Sequence, residues 1–166
     1  MSPQKTILVV TNRHDEHASH VIMKCNDRAI PVFRLNTEDL PREIMLEWRG
    51  VADWELTYHE RTLRPEMVRS VWYRRPAPHV PHDEITGEAD RAFVDDECSH
   101  VLRGLYRGLS SVFWMSPLDA LLAARFKLEQ LARAERFGFN VPETLVTNNP
   151  TAFWAFHQAH AGRVIV

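Results

Sequence analysis

Two adjacent arginines, Arg74 and Arg75, follow an apolar segment with the pattern of a buried strand and precede Pro76. Guanidinium groups suit carboxylates and phosphates, and open α/β sheets bind ligands at the carboxyl ends of their strands. If the strand continues through both arginines, their side chains point to opposite faces, and at most one reaches a shared site. Two interpretations stay open. One arginine binds an acidic peptide or a polyphosphate, or the pair consists of a surface side chain and a structural ion pair with Glu84 or Asp90.

Asn12 and Arg13 lie in the loop after the first predicted strand, where dinucleotide-binding folds hold a phosphate. The Gly-x-Gly-x-x-Gly motif of those folds is absent from this loop, so we do not expect a Rossmann cofactor. Capping of the following helix explains Asn12 and Asp15. Asn12 and Arg13 therefore remain secondary candidates for contact with a phosphate or a substrate.

Histidines at positions 14, 17 and 20 suggest a metal site only at first sight. A spacing of three rotates steadily around a helix, and no nearby cysteine or second histidine pair completes a tetrahedral set. The two cysteines, Cys25 and Cys98, are far apart and match no metal spacing. We therefore predict neither a metal site nor a disulfide framework.

The elements that must position these residues begin with a continuous aliphatic run over 7–10, which is typical of a strand covered on both faces. A helix over 16–27 and a strand over 32–35 complete a βαβ unit. Short strands over 44–48 and 54–58, with a turn at Arg49-Gly50, predict an antiparallel hairpin.

Further along, the pattern predicts strands over 68–75, 111–115 and 144–147, and helices over 83–109, 117–137 and 151–160. The final residues, Val164 to Val166, have the pattern of the first strand of a further region. The alternative is a short edge strand that closes this domain. We expect that the natural chain continues.

The composition is that of a globular protein of one ordinary domain, with 166 residues, 45% hydrophobic and 25% charged. The formal net charge of −2 gives no general attraction to nucleic acid or to an anionic membrane, and neither partner is expected. The first apolar run is too short for a signal peptide, so a cytoplasmic location is expected.

Four segments in this order carry a family resemblance, namely Thr11-Asn12-Arg13, Pro31 to Asn36, Val71 to Pro76 and Thr144 to Pro150. Together they resemble the N-terminal region of the microviridin-type ATP-grasp ribosomal peptide maturases, or graspetide synthetases. The resemblance implies an α/β fold: a Rossmann-like pre-ATP-grasp domain over 1–116, with a mostly parallel sheet and a short antiparallel hairpin. Residues 117–166 would then be a linking helix and the truncated beginning of the ATP-grasp region.

The resemblance also implies ATP-dependent activation of Asp or Glu side chains of a precursor peptide as acyl phosphates. Attack by a Ser, Thr or Lys side chain then closes an ω-ester or ω-amide ring. ATP and Mg²⁺ are the implied cofactors, and the magnesium ligands of such enzymes lie in the C-terminal lobe. We therefore expect no catalytic residue and no tight ATP binding in these residues, which would form a scaffold and one wall of the cleft.

Lys127 resembles the lysine that begins a helix in ATP-grasp enzymes and reaches the nucleotide phosphates, ahead of a Gly-x-x-x-Pro-x-Thr segment that starts at Gly138. The alternative is an exposed lysine on an amphipathic helix. A second phosphate-binding lysine is expected directly after Val166.

Other functions remain open at this point. The chain could belong to another ATP-grasp ligase, of the glutamate-ligating type, or could be a stand-alone module that binds a peptide without chemistry. The expected partner is a precursor peptide with a leader and an acidic core, and a homodimer is possible. The sequence does not distinguish ester from amide rings.

Overall fold

A mixed α/β architecture is seen in the computed structural model, which describes residues 5–50 and 52–165. The strands are β1 (Thr6–Thr11), β2 (Val32–Asn36), β3 (Ile44–Gly50), β4 (Asp53–Tyr58), β5 (Arg61–Leu63), β6 (Val68–Tyr73) and β7 (Phe113–Met115). The helices are α1 (Glu16–Asn26), α2 (Glu88–Gly108), α3 (Leu118–Ala123), α4 (Lys127–Arg136) and α5 (Pro150–Ala159). The chain divides into two compact units, residues 1–121 and 122–166.

The first unit contains a parallel sheet with the strand order β2-β1-β6-β7. Leu8 and Val10 of β1 belong to the larger core, which includes Leu102 and Leu105 of α2. Val9 belongs instead to a smaller cluster with Ala18 of α1. Because successive residues of a strand face opposite sides, α1 and α2 lie on the two faces of the sheet. Burial of both faces explains the unbroken aliphatic sequence of β1.

A second, antiparallel sheet in the same unit has the order β3-β4-β5. Trp54 and Leu56 of β4 and Leu63 of β5 are buried in the larger core together with Leu8. The predicted fold class is thus confirmed, and the predicted hairpin gains β5 as a third strand.

The second unit has a different character, since none of its residues from 122 to 165 is buried. It exposes large apolar side chains on α4, on the segment after it and on α5, among them Leu128, Phe137 and Trp154.

The prediction of one helix over 117–137 is wrong, because α3 ends at Ala123 and α4 begins at Lys127. At the end of α3 the backbone narrows to 3₁₀-type hydrogen bonding, because the backbone N–H groups of Arg125 and Phe126 donate to carbonyls three residues earlier. The side-chain amide of Gln130 donates to the carbonyl of Ala124 and so satisfies a group that a continuous helix would have paired. Helix propensity predicts helix boundaries only weakly, and local hydrogen bonding of this kind can override it.

The predicted strand over 144–147 is also wrong, since these residues belong to no strand. A β-branched sequence favours extended backbone, but a strand needs a hydrogen-bonded neighbour, and residues 5–50 and 52–165 supply none. Val164 and Ile165 are likewise outside any strand, and Val166 lies outside the described residues.

Candidate functional site

Polar side chains gather where β1, β2 and β6 end, because the carboxyl ends of parallel strands meet at one edge of a sheet. We call this group the polar edge; its members are Thr11, Asn12, Arg13, Asp15, Arg34, Asn36, Asp39, Arg74 and Arg75. It contains four of the five residues predicted as binding candidates.

Asp39, which is 1% exposed, is the centre of the larger hydrogen-bond network at the polar edge. Its carboxylate accepts from the Tyr58 hydroxyl at 2.7 Å, from the Asn36 amide at 2.9 Å and from the Arg13 guanidinium. Burial acts to raise the pKa of Asp39, but these three donors outweigh it and lower the pKa. Burial and the bond to Asp39 raise the pKa of Tyr58 to about 12.

Arg13 is therefore committed to carboxylates of its own chain. Besides Asp39 it contacts Glu43 at 2.9 Å, and its backbone N–H donates to Glu38 at 2.6 Å. These bonds raise the pKa of Arg13, which stays charged. The carboxylates that it neutralises leave it little capacity for a phosphate, so the geometry favours a structural role.

Asn12 joins the loops that follow β1 and β6. Its side-chain amide donates to the carbonyl of Arg75 at 2.6 Å, and its side-chain oxygen accepts from the backbone N–H of His14 at 3.0 Å. The N-cap of α1 is Asp15, which accepts from the backbone N–H of Ala18 at 3.1 Å. Capping thus belongs to Asp15, and Asn12 holds the loop that carries the two arginines.

The two arginines have different surroundings. Strand β6 ends at Tyr73, the backbone N–H of Arg74 still donates to Val10, and Arg75 then adopts a positive φ of 46°. Strand alternation therefore does not govern their directions, contrary to the premise of the prediction. The Arg74 guanidinium contacts Asp15, whose side chain is 3% exposed, at 2.9 Å. One of the two interpretations was a structural ion pair; Arg74 forms one, but its partner is Asp15 rather than Glu84 or Asp90.

Arg75 is exposed, and within the part of the chain that the structure describes its side chain has no hydrogen bond or ion pair. It is a cation at the carboxyl edge of the sheet whose charge is not neutralised by a neighbour. Of the four candidates at the polar edge, Arg75 therefore stays a candidate for contact with a carboxylate or a phosphate.

This contrast predicts different effects of two adjacent substitutions. Arg74→Ala leaves the buried Asp15 without its cation and should lower the free energy of unfolding by about 2 kcal/mol. Arg75→Ala removes an unengaged side chain and should change it by less than about 0.5 kcal/mol. Urea denaturation of both variants measures the difference, and equal losses would contradict the assignment of Arg74 as the structural residue.

Lys127 lies in a different place, a cleft of about 460 Å³ within the second unit. We call it the Lys127 cleft; it is lined by Lys127, Gln130, Leu131, residues 142–145, Phe156, His160, Arg163, Val164 and Ile165. The interruption of the predicted long helix places Lys127 in the first turn of α4. The volume of the Lys127 cleft lies within the range of small-molecule sites.

The charges in the Lys127 cleft are mostly positive. Lys127 and Arg163 are fixed cations, and Glu143 is the acidic lining residue. Nε2 of His160 lies 3.5 Å from a carboxylate oxygen of Glu143, and its ring packs on Phe156 with 4.3 Å between centroids. The arrangement offers point-charge contacts for an anion beside an apolar wall.

Sequence reasoning missed Asp39 and Arg34 at the polar edge, together with Tyr58 of β4, which donates to Asp39. It also missed His160 and Arg163 in the Lys127 cleft. Arg34 donates to the carbonyl of Asn12 at 2.6 Å and to the side chain of Asn36 at 2.8 Å, so it supports the first loop. The one available signal was its position in β2, two residues before the strand's carboxyl end.

Among residues 5–50 and 52–165, no group of three or more histidine, cysteine, aspartate or glutamate side chains is placed to hold a metal ion. No helix there has the length and apolar character needed to span a membrane.

The chain was compared with protein families and with known proteins. Residues 6–121 match the MvdD pre-ATP-grasp domain. The macrocyclase MdnB from Microcystis aeruginosa MRC is similar, with 30% identity, a TM-score of 0.83, and 96% of this chain and 53% of that chain covered. MdnC from the same source, bound with the precursor peptide MdnA, gives 29% identity, a TM-score of 0.83, and 93% and 51% coverage.

A third solved structure supports the fold alone. It is a RiPP-associated ATP-grasp ligase from Chryseobacterium gregarium in complex with ADP and a leader and core peptide, with 24% identity, a TM-score of 0.75, and 95% and 49% coverage. No curated protein matches the chain. The chain spans about half the length of the solved structures that it matches. The match over 6–121 confirms the predicted relationship, and the chain belongs to the MvdD pre-ATP-grasp domain family.

Proposed function

We propose that this chain is the N-terminal part of an ATP-dependent ligase that closes rings in a ribosomally made precursor peptide. The family match carries the proposal, and the similarity to two macrocyclases supports it. A side-chain carboxylate of the peptide would take the γ-phosphoryl group of ATP and release ADP. A hydroxyl or amine of the same peptide would then attack the acyl carbon, lose its proton and release phosphate, leaving an ω-ester or ω-amide bond.

The first unit, in this proposal, is a scaffold and one wall of the cleft. Ion pairs and hydrogen bonds already occupy Arg13, Arg74 and the side chain of Asn12. Arg75 is the side chain at this edge that could meet a carboxylate of the acidic peptide or a phosphate.

The Lys127 cleft is the proposed contact with the nucleotide. Lys127 and Arg163 supply positive charge, and Lys127 lies in the first turn of α4, where the helix dipole adds to it. Val164 and Ile165 line the same cleft, so the lysine faces the place where the described chain ends. These residues fit a polyphosphate. ATP would supply the phosphoryl group, and we assign Mg²⁺ no ligand among the described residues.

Residues 117–165 would then be linking helices and the start of the ATP-grasp region, in a soluble cytoplasmic enzyme. An enzyme that ligates glutamate would use the same cleft for a free amino acid. The two macrocyclases favour a peptide substrate.

Calorimetric titration with ATP and with an acidic peptide tests the proposal. The 166-residue chain should bind ATP weakly or not at all. The protein extended by the reading frame after Val166 should bind ATP and hydrolyse it. If that longer protein neither binds nor cleaves ATP, the ligase assignment is wrong. If the 166-residue chain itself binds the acidic peptide tightly and ATP binding is absent from both, it is a stand-alone peptide-binding module.

A further inference from the structure

Arg75, in the turn that follows β6, has an unfavourable backbone conformation. Its φ of 46° lies in the left-handed region, which glycine enters more easily than any residue with a Cβ. Its guanidinium has no hydrogen bond or ion pair with any residue that the structure describes. No polar contact of the described chain therefore explains an arginine at a position that glycine would fill at lower cost. Strained positions that the surrounding structure enforces are frequent at binding sites.

Two hydrogen bonds fix the main chain on both sides of Pro76. The side-chain amide of Asn12 donates to the carbonyl of Arg75 at 2.6 Å. The hydroxyl of Thr37 donates to the carbonyl of Ala77, also at 2.6 Å. Asn12 directly follows β1, and Thr37, which is 2% exposed, directly follows β2. The loops after two neighbouring strands thus restrain the main chain that carries the exposed guanidinium.

The other arginines of the polar edge are already engaged. Arg13 and Arg74 contact carboxylates of their own chain, and Arg34 donates to side chains and carbonyls of its own chain. Arg75 is the remaining cation, and a single guanidinium suits a singly charged anion, since its planar N–H groups match a carboxylate. A polyphosphate carries more charge, and the Lys127 cleft offers two fixed cations for it.

We propose that Arg75 binds a side-chain carboxylate of the precursor peptide, and that Asn12 and Thr37 are positioning residues that hold its main chain for this contact. Arg75 thereby sets the preference for an acidic peptide and does not contact the nucleotide. The proposal rests on the proposed ligase function for the identity of the peptide, whereas the contact itself rests on the geometry of the turn.

Titration calorimetry of the protein extended by the reading frame after Val166 tests the contact with two probes. One is an acidic peptide with glutamate side chains, and the other is the same peptide with glutamine in place of glutamate. The unsubstituted protein should bind the glutamate peptide about tenfold more tightly, the ratio expected for one charged hydrogen-bonded contact. Arg75→Ala should remove this preference. Arg69→Ala removes an exposed cation near the beginning of β6 and should keep it.

A double-substitution experiment tests the positioning residues. Thr37→Val removes the hydroxyl from a buried side chain of similar shape and should reduce the preference for glutamate about threefold, as should Asn12→Ala. Thr37→Ser keeps the hydroxyl and should keep the preference. In an Arg75→Ala background neither loss should appear, because both residues act through Arg75, whereas a purely structural defect would appear in both backgrounds. Thr57→Val makes the same change in β4 and is the matched control.

Arg75→Gly separates the cost of the backbone conformation from the use of the side chain. In urea denaturation of the 166-residue chain, glycine should raise the folding equilibrium constant about threefold, because it adopts a positive φ without strain. In the extended protein the same substitution should abolish the preference for glutamate. A loss of stability in Arg75→Gly would contradict the proposal, since the arginine would then support the fold.

The peptide titrations can also overturn the proposal. Equal affinities of the unsubstituted protein for both peptides, or an unchanged preference in Arg75→Ala, would exclude the carboxylate contact. Weaker ATP binding in Arg75→Ala with an intact peptide preference would assign Arg75 to the nucleotide instead. ATP titration keeps this test apart from the test of the ligase assignment. A protein that hydrolyses ATP without an Arg75-dependent preference refutes the carboxylate contact alone, and one that shows the preference without binding ATP refutes the ligase assignment alone.

Discussion

With Lys127 as the proposed nucleotide contact, its replacement by alanine should weaken ATP binding by the extended protein about tenfold to a hundredfold, the loss expected for one charged hydrogen bond to a phosphate. The reason is its place in the Lys127 cleft, where Arg163 is the other fixed cation and cannot replace a contact made from the first turn of α4. Titration calorimetry of the extended protein measures the change. Lys127→Arg should recover part of the ATP affinity, because the positive charge is kept and only the shape of the charged group differs, a guanidinium instead of an ammonium.

Arg136→Ala provides the matched control for this substitution. Arg136 is an exposed cation in the last turn of the same helix and does not line the cleft. Arg136→Ala changes the net charge by the same amount as Lys127→Ala, so a general electrostatic effect on ATP binding would appear in both variants. Equal affinity of the Lys127→Ala and unsubstituted proteins would exclude Lys127 from the nucleotide site, while leaving the family assignment unaffected.

Asp39→Ala should lower the free energy of unfolding of the chain by roughly 3–5 kcal/mol at neutral pH. The carboxylate is buried and accepts hydrogen bonds from Tyr58, Asn36 and Arg13, so its removal takes the acceptor from Tyr58 and Asn36 and leaves Arg13 with Glu43 as its remaining side-chain acceptor. Urea denaturation followed by tryptophan fluorescence measures the loss. Glu43→Ala removes the exposed carboxylate that contacts the same arginine and should cost less than about 1 kcal/mol.

The pH dependence of this cost distinguishes lost charge from lost packing. The pKa of Asp39 is lowered in the folded chain from its ordinary value of 3.8, so the folded state favours the carboxylate. Its contribution is therefore fully present above that ordinary value and is lost as the pH falls through the lower, folded-state pKa. The difference in stability between the unsubstituted chain and Asp39→Ala should shrink over that acidic range. A difference that is independent of pH would mean that the carboxylate charge does not stabilise the fold.

The order of elements in the first unit could be predicted because its signals are local. The continuous apolar residues of β1, the spacing in α1 and the paired short strands β3 and β4 each appear within a few consecutive residues. The second unit was predicted less well. Helix propensity over 117–137 gave no sign of the interruption before Lys127, and the residues over 144–147 have no partner strand in the described chain.

The candidate residues were identified by type, but their roles depend on contacts across the fold. Arg13 looked free to bind a phosphate until Asp39 and Glu43, 26 and 30 residues later, were seen beside it. Arg74 and Arg75 are indistinguishable in the sequence. They differ because Asp15 lies 59 residues before Arg74 in the chain but beside it in the sheet. The spacing of residues along the sequence does not predict such ion pairs, because they depend on the order of the strands in the sheet.

The anchoring of the segment around Arg75 has a consequence for how substrate preference could be altered. Its main chain is held through Asn12, whereas its guanidinium has no hydrogen bond or ion pair with any residue that the structure describes. Such a position tolerates a reversal of sign with little penalty to the scaffold, so the proposed preference for acidic peptides could be changed there without rebuilding the fold. Arg74, one residue earlier, lacks that freedom, because the same change would bring a second negative group against Asp15.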